Sequence, residues 1–175
     1  MSAASAKIMV SAADLSAWIQ ISGRANFASS VDFKTLVNSL HEDGCRRFAL
    51  DLTACVLMDS TFLGVLAGFG MRLEEENSDK PEEHAIELLN PNARISELLE
   101  NLGVSHIFKI VSGPPYSPAA PTVEALSAKA TPEELARTSL EAHETLMSLD
   151  PENIPRFKDV AQFLAEDLKK HKGNP

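Results

Sequence analysis

The chain has 175 residues, of which 44% are hydrophobic, enough for one domain with a real core plus an extension. A formal charge of −9, an isoelectric point near 5.0 and scattered basic residues exclude nucleic acid and anionic membrane surfaces, which are read by clustered Lys and Arg. Residues 1–6 are small and polar, no apolar run approaches the roughly 18 residues of a membrane span, and Cys45 and Cys55 lack zinc or redox spacing, so a soluble cytoplasmic protein with reduced thiols and no cofactor is expected.

Two strands are predicted first, over residues 7–10 and 17–21, joined by a turn around Ala13-Asp14 and closed by Gly23. A helix starting near Ser29 or Ser30 follows. Its apolar positions Phe33, Leu36, Val37 and Leu40 share one face, and Gly44 stops it. Residues 48–52 have the length and composition of a buried strand. Strand gives way to helix within about eight residues, as in an α/β unit. The helix carries Leu63, Leu66, Ala67, Gly70 and Met71 at helical spacing until Glu74 breaks the apolar face. Asp59 and Ser60 are both preferred N-cap residues, standing where free amide N–H groups and the positive end of the helix dipole gather. A phosphate on Ser60 is locally tolerated there, yet adds about 1.5 to 2 negative charges beside Asp59.

Residues 74–83 hold six carboxylates against one Lys and read as a solvated helix end and loop. A strand over 84–89, a helix over 92–101 with Ile95, Leu98 and Leu99 on one face, and a last strand over 107–111 complete this part. From residue 112 to 130 the composition turns to Pro, Ala and Ser, with Pro114, Pro115, Pro118 and Pro121 marking a linker or extended strap. Thr131-Pro132-Glu133-Glu134 then gives a capping box with Pro at the first helical position. Two apolar stripes, Leu135, Ser139, Ala142, Leu146 and Leu149, then Phe157, Val160, Ala161, Leu164 and Leu168, flank Asp150-Pro151 and describe a helical hairpin that must bury itself against something. Covering the open face or edge of the sheet and packing between chains are both open at this point.

The strand 50–52, the entry Met58-Asp59-Ser60-Thr61 and the run Leu63-Gly64-Val65-Leu66 resemble the signature of STAS domains, especially bacterial anti-sigma factor antagonists. Asn90-Pro91 after a strand, then Leu102-Gly103-Val104 and Phe108-Lys109-Ile110, keep the family's order from about residue 7 to residue 113. One position departs: Phe62 stands where the family usually has Gly. The resemblance implies an α/β fold, a STAS-like mixed β-sheet with helices mainly on one face, to which this chain adds the C-terminal hairpin. The expected domains are a STAS-like unit over 1–112, a Pro-rich linker over 113–130 and a helical extension over 131–175. It further implies a non-enzymatic signalling phosphoprotein acting in transcription regulation. In that family the unphosphorylated protein binds a serine kinase that also restrains a sigma factor, phosphorylation at the Ser60 position breaks the contact, and a serine phosphatase restores it. Met58, Asp59, Ser60, Thr61 and Phe62 are then the partner-binding residues.

Residue chemistry offers little to an enzyme. Ser60 lies in no Gly-x-Ser-x-Gly elbow, no phosphate-binding Gly-x-x-x-x-Gly-Lys segment exists, and the hydroxyl has no activating base in the local sequence. His41, His84, His106, His143 and His171 are dispersed and read as ordinary surface or capping histidines, with no metal spacing. Asp51 and Asp59 flank one strand and loop without implying an acid/base pair. Phe62 reads either as core or as an exposed aromatic anchor; exposure is favoured because Leu63, Leu66 and Ala67 already fill the inward stripe. The alternative function is a constitutive scaffold that assembles, with itself or a larger complex, through Phe62 and the tail without phosphorylation.

Overall fold

The computed structural model describes residues 6–77, 84–114, 121–125, 127 and 129–173, with residues 171–173 described by backbone alone. Expectations resting on residues 1–5, on Asp79, Lys80 and Pro81, on Pro115 and Pro118, and on the His171 ring lie outside the described residues.

β1 (Lys7–Ala13) and β2 (Ser16–Ala25) form an antiparallel hairpin in which Val10 faces Ile19 and Ile8 faces Ile21. Asp14 and Leu15 turn it with φ of 52° and 68°, and two successive positive φ values make the tight turn that matches strand twist. Both strands outrun the predicted spans. β2 continues because, past Gly23, it changes partner to β4 (Cys55–Met58), a strand the sequence did not reveal, with a shift in register between Gly23 and Arg24.

α1 (Phe27–Glu42) starts at Asn26, three residues before the expected Ser29, and the two residues close a reciprocal capping box. Ser29 and Ser30 are buried inside its first turn, where the Ser30 hydroxyl donates to the Phe27 carbonyl at 2.6 Å. Gly44 ends the helix region at φ 109°, as expected. β3 (Arg47–Asp51), α2 (Ser60–Glu76), β5 (Ile86–Leu89), α3 (Ala93–Asn101) and β6 (Lys109–Val111) follow. Among the described residues one mixed sheet runs in the order β6-β5-β3-β2-β1, with β2, β3, β5 and β6 parallel. Ile19, Ile21, Phe48, Leu50, Ile86 and Leu88 point from one sheet face into the core against Phe33, Leu63, Leu66 and Leu73 of the helices. The other face carries Ser11, Trp18, Ala49 and Glu87, which line an open cleft.

Part of the Pro-rich segment is a strand after all. β7 (Val123–Glu124) pairs with β1 at Met9 and Val10 and closes that edge of the sheet. The predicted hairpin is present as α4 (Pro132–Leu149), a 3₁₀ turn over Pro151–Asn153 and α5 (Ile154–Gly173), with Thr131 and Glu134 exchanging the expected capping bonds. It covers neither the open face nor the edge of the sheet. α4 instead packs on α2 and α1, adding a second helical layer within the same chain.

The exposure expected of Phe62 is overturned by the packing of α1 on α2. The side chain is 0% exposed, and its ring lies 4.7 Å from that of Phe33. Phe62→Ala is therefore expected to lower the unfolding free energy by about 3–5 kcal/mol in urea denaturation, the range for a truncated core aromatic. A loss under about 0.5 kcal/mol, typical of a surface position, would contradict the burial.

Candidate functional site

The start of α2 is built around one carboxylate. Asp59 ends β4 in extended conformation, and its own N–H donates to the Ala25 carbonyl at 2.9 Å, which fixes it beside the end of β2. Its Oδ1 accepts from the Phe62 amide at 2.9 Å, capping α2, while Oδ2 accepts from the Phe27 amide at 2.7 Å at the start of α1. One side chain thus serves two helix starts. Burial pushes its carboxyl above the ordinary value, and the amides of Phe62 and Phe27, the His143 ring and the Thr61 amide pull the other way.

Ser60, the first residue of α2, is half-buried, and its Oγ lies 2.9 Å from His143 Nε2 on α4. His143 Nδ1 lies 2.7 Å from the Ser139 carbonyl. A carbonyl can only accept, so Nδ1 carries a proton, and in the neutral ring Nε2 then accepts from the Ser60 hydroxyl. The expectation that the hydroxyl has no base nearby, and that His143 is an ordinary surface histidine, is corrected here. His143 is 4% exposed and packs 4.8 Å from the Phe157 ring. Its position one turn after Ser139, at the edge of the apolar stripe through Ala142 and Leu146, was the available signal.

Thr61 makes the neighbouring contact, with Oγ1 3.0 Å from Ser139 Oγ. α4 comes this close because Gly64 lies beneath it: a Cβ there would stand 2.5 Å from the Ala142 carbonyl oxygen. Of the residues expected to meet a partner, Met58, Thr61 and Phe62 are buried, whereas Asp59 and Ser60 are half-buried. The exposed aromatic at this site is Phe27, 53% accessible, directly beside Asp59; Val56 on β4 has the same exposure.

The remaining polar candidates stay apart. Asp51 is buried and accepts from the Thr53 amide and hydroxyl at 3.0 and 2.6 Å, so it does not converge with Asp59. His41 meets Glu76 at 2.6 Å and His84 meets Glu74 at 3.2 Å. Cys45 and Cys55 are buried free thiols, both pushed up by burial. Among the described residues no group of three or more His, Cys, Asp or Glu is arranged to hold a metal.

Ser60 and His143 together resemble the nucleophile and base of a hydrolase, but the surroundings do not continue the pattern. The Phe62 amide is already taken by the Asp59 side chain and the Leu63 amide by the Asp59 carbonyl, so neither is available to an oxyanion. Neither the cleft between α1, α2 and α4 nor that on the open sheet face is lined by Ser60 or His143. What the geometry supplies is an oriented hydroxyl at a helix start.

No protein-family model matches the chain, and no curated protein matches it. Solved structures do. A crystal structure of the Thermotoga maritima protein TM1081, described as an anti-sigma factor antagonist, gives a TM-score of 0.52 at 19% identity, covering 60% of this chain and 85% of that one. The anti-sigma factor antagonist SpoIIAA in its unphosphorylated form gives 0.50 at 15% identity, covering 59% of this chain and 87% of that one. The likeness is one of fold: this chain has a STAS-like fold, the fold of these antagonists. No helix among the described residues is long and apolar enough to cross a membrane.

The double role of Asp59 has a measurable consequence. Asp59→Ala should cost about 1–3 kcal/mol in urea denaturation, combining a lost N-cap with a second lost hydrogen bond. Asp59→Asn, which keeps only one acceptor oxygen, should fall between the two; a neutral Asp59→Ala would contradict the bridge.

Proposed function

We propose that this chain is a phosphorylation-switchable protein-binding module of the anti-sigma factor antagonist kind, with Ser60 as the switch. The observation that carries this reading is the placement of Ser60: a half-buried, oriented hydroxyl at the first position of α2, next to the Asp59 cap, in a fold shared with SpoIIAA. The partner in this reading is a serine kinase that also restrains a sigma factor, opposed by a serine phosphatase. The partner would meet Asp59 and Ser60, with Phe27 and Val56 as exposed apolar neighbours, while Met58, Thr61 and Phe62 hold the site from within.

The physics of the switch is electrostatic. Transfer of a γ-phosphoryl from a nucleoside triphosphate to Ser60 Oγ removes the hydroxyl proton and releases the diphosphate. It leaves a dianion beside the Asp59 carboxylate and in place of the hydroxyl that met His143 Nε2. An interface formed on the neutral hydroxyl then meets like charge and an added desolvation cost.

A second reading is favoured by the helix that lies over Ser60: a constitutive assembly module. Its motif is no longer Phe62, which is buried, but the outer side of α5, where Val160 and Phe163 are 44% and 69% exposed. Light scattering of the full chain decides on assembly, since a mass of one 19.0 kDa chain at high concentration leaves this reading without support.

The switch is tested by incubating the full chain with nucleoside triphosphate and fractions of the native cell, then reading the intact mass. The expected result is a single phosphoryl increment on the unaltered protein, lost in Ser60→Ala and reversed by a serine phosphatase. An increment of unchanged level on Ser60→Ala rejects Ser60 as the site.

A further inference from the structure

The same contacts that orient Ser60 also block it. Transfer to a hydroxyl needs the attacking oxygen in line with the γ-phosphorus at roughly 3 Å. In this chain that space is taken by α4, through the Ser60–His143 bond at 2.9 Å, the Thr61–Ser139 bond at 3.0 Å and the seat of Ala142 on Gly64. A Lys34–Glu141 ion pair at 2.8 Å ties the same stretch of α4 to α1.

The attachment of α4 is uneven along its length. Its buried residues up to this point are Ala136, Thr138, Ala142 and His143, all small or polar. The first large aliphatic side chain to be fully buried is Leu146, 0% exposed, and just beyond it Asn153, also 0% exposed, donates to the carbonyls of Leu102 and Leu146 at 2.9 Å each. The closed end of the hairpin is thus tied to the core. The stretch over Ser60 is held by hydrogen bonds, a surface ion pair and methyl groups, contacts that water replaces at small cost.

We propose that the α4–α5 hairpin is an in-chain cover: in the resting protein it occupies the surface of α2 that a kinase or partner must reach, and it has to leave before Ser60 can be modified or bound. The meaning of the cover rests on the reading of Ser60 as the switch; its existence as a separately opening unit does not. Leu146 and Asn153 make the closed form the resting one. The small and polar contacts nearer the site make opening possible without unfolding the sheet.

Hydrogen exchange followed by mass spectrometry on the unaltered full chain, at rising low concentrations of denaturant, tests this directly. The α4 amides over the site are expected to exchange about tenfold or more faster than those of β2 and β3, through an opening that leaves the strands protected. A second measurement follows the reaction of a Ser60→Cys chain with a small thiol reagent, alone and combined with Ala142→Leu, which has no room above Gly64. Labelling should rise about tenfold in the combined variant, with the exchange of β2 and β3 unchanged. Exchange of α4 only together with the strands overturns the proposal, as does labelling that Ala142→Leu leaves unaltered. A cover that opens over a Ser60 that no kinase modifies would refute the switch and leave the cover standing. A Ser60 that is modified in a chain whose α4 opens only with the sheet would do the reverse.

Discussion

The Asp59 carboxylate, shared between the first turns of α1 and α2, is the constraint on which the site depends. Each helix start leaves amide N–H groups unpaired, and here β2 and β4 lie side by side, so both starts emerge at one point. A single side chain with two acceptor oxygens answers both. The partial positive ends of two helices favour its negative charge, against the cost of burying it. Ser60 inherits its position from this arrangement. It stands where one negative charge is already compensated and where any further charge finds the Phe62 and Leu63 amides in use.

Above this point the chain uses small residues to bring two helices within hydrogen-bonding distance. Gly64 lies under Ala142 and Gly68 under Thr145, the latter with a would-be Cβ 3.5 Å from Thr145 Cγ2. A glycine inside a helix costs about 1 kcal/mol relative to Ala. At Gly64 that cost is offset by what the close approach allows, namely two hydroxyls on α2 reaching His143 and Ser139 on α4. A surface floored by glycines and edged by hydroxyls suits a helix. In this protein the helix it holds belongs to the same chain.

The features legible in the sequence were those with local causes. Gly44 as a stop, the Thr131 capping box and the alternation of strand and helix from residue 48 onward each depend on neighbours within a turn or two. β4 escaped because four residues carry too short an alternation, and because its partner, β2, lies about thirty residues earlier in the chain. Phe62 and His143 were misread for different reasons. The inward stripe is wider than Leu63, Leu66 and Ala67: at helical spacing Phe62 falls beside Leu66, Phe69 and Leu73, and it packs on Phe33 of α1. The opposite side of α2 is covered by α4, some eighty residues downstream, and that contact buries His143. The fold of the core could be read along the chain; the site could not, because a distant segment completes it.

On the proposed reading, the imidazole makes the contact between cover and switch specific to the unmodified state. With Nδ1 committed to the Ser139 carbonyl, the neutral His143 ring offers Ser60 a lone pair, which a proton on Oγ satisfies. Any substituent on that oxygen removes the donor on which the bond to the neutral ring depends, and a phosphoryl group adds bulk and charge beside the Asp59 carboxylate. Closed cover and free hydroxyl therefore stabilise each other. By linkage the relation runs both ways: whatever holds α4 away raises the availability of Ser60, and whatever occupies Ser60 holds α4 away by the same free energy. A tail that merely blocked the site would oppose modification without being changed by it. On the proposed reading, one that also bonds through the hydroxyl proton registers the modification, so that occupancy of Ser60 is converted into exposure of the α2 face.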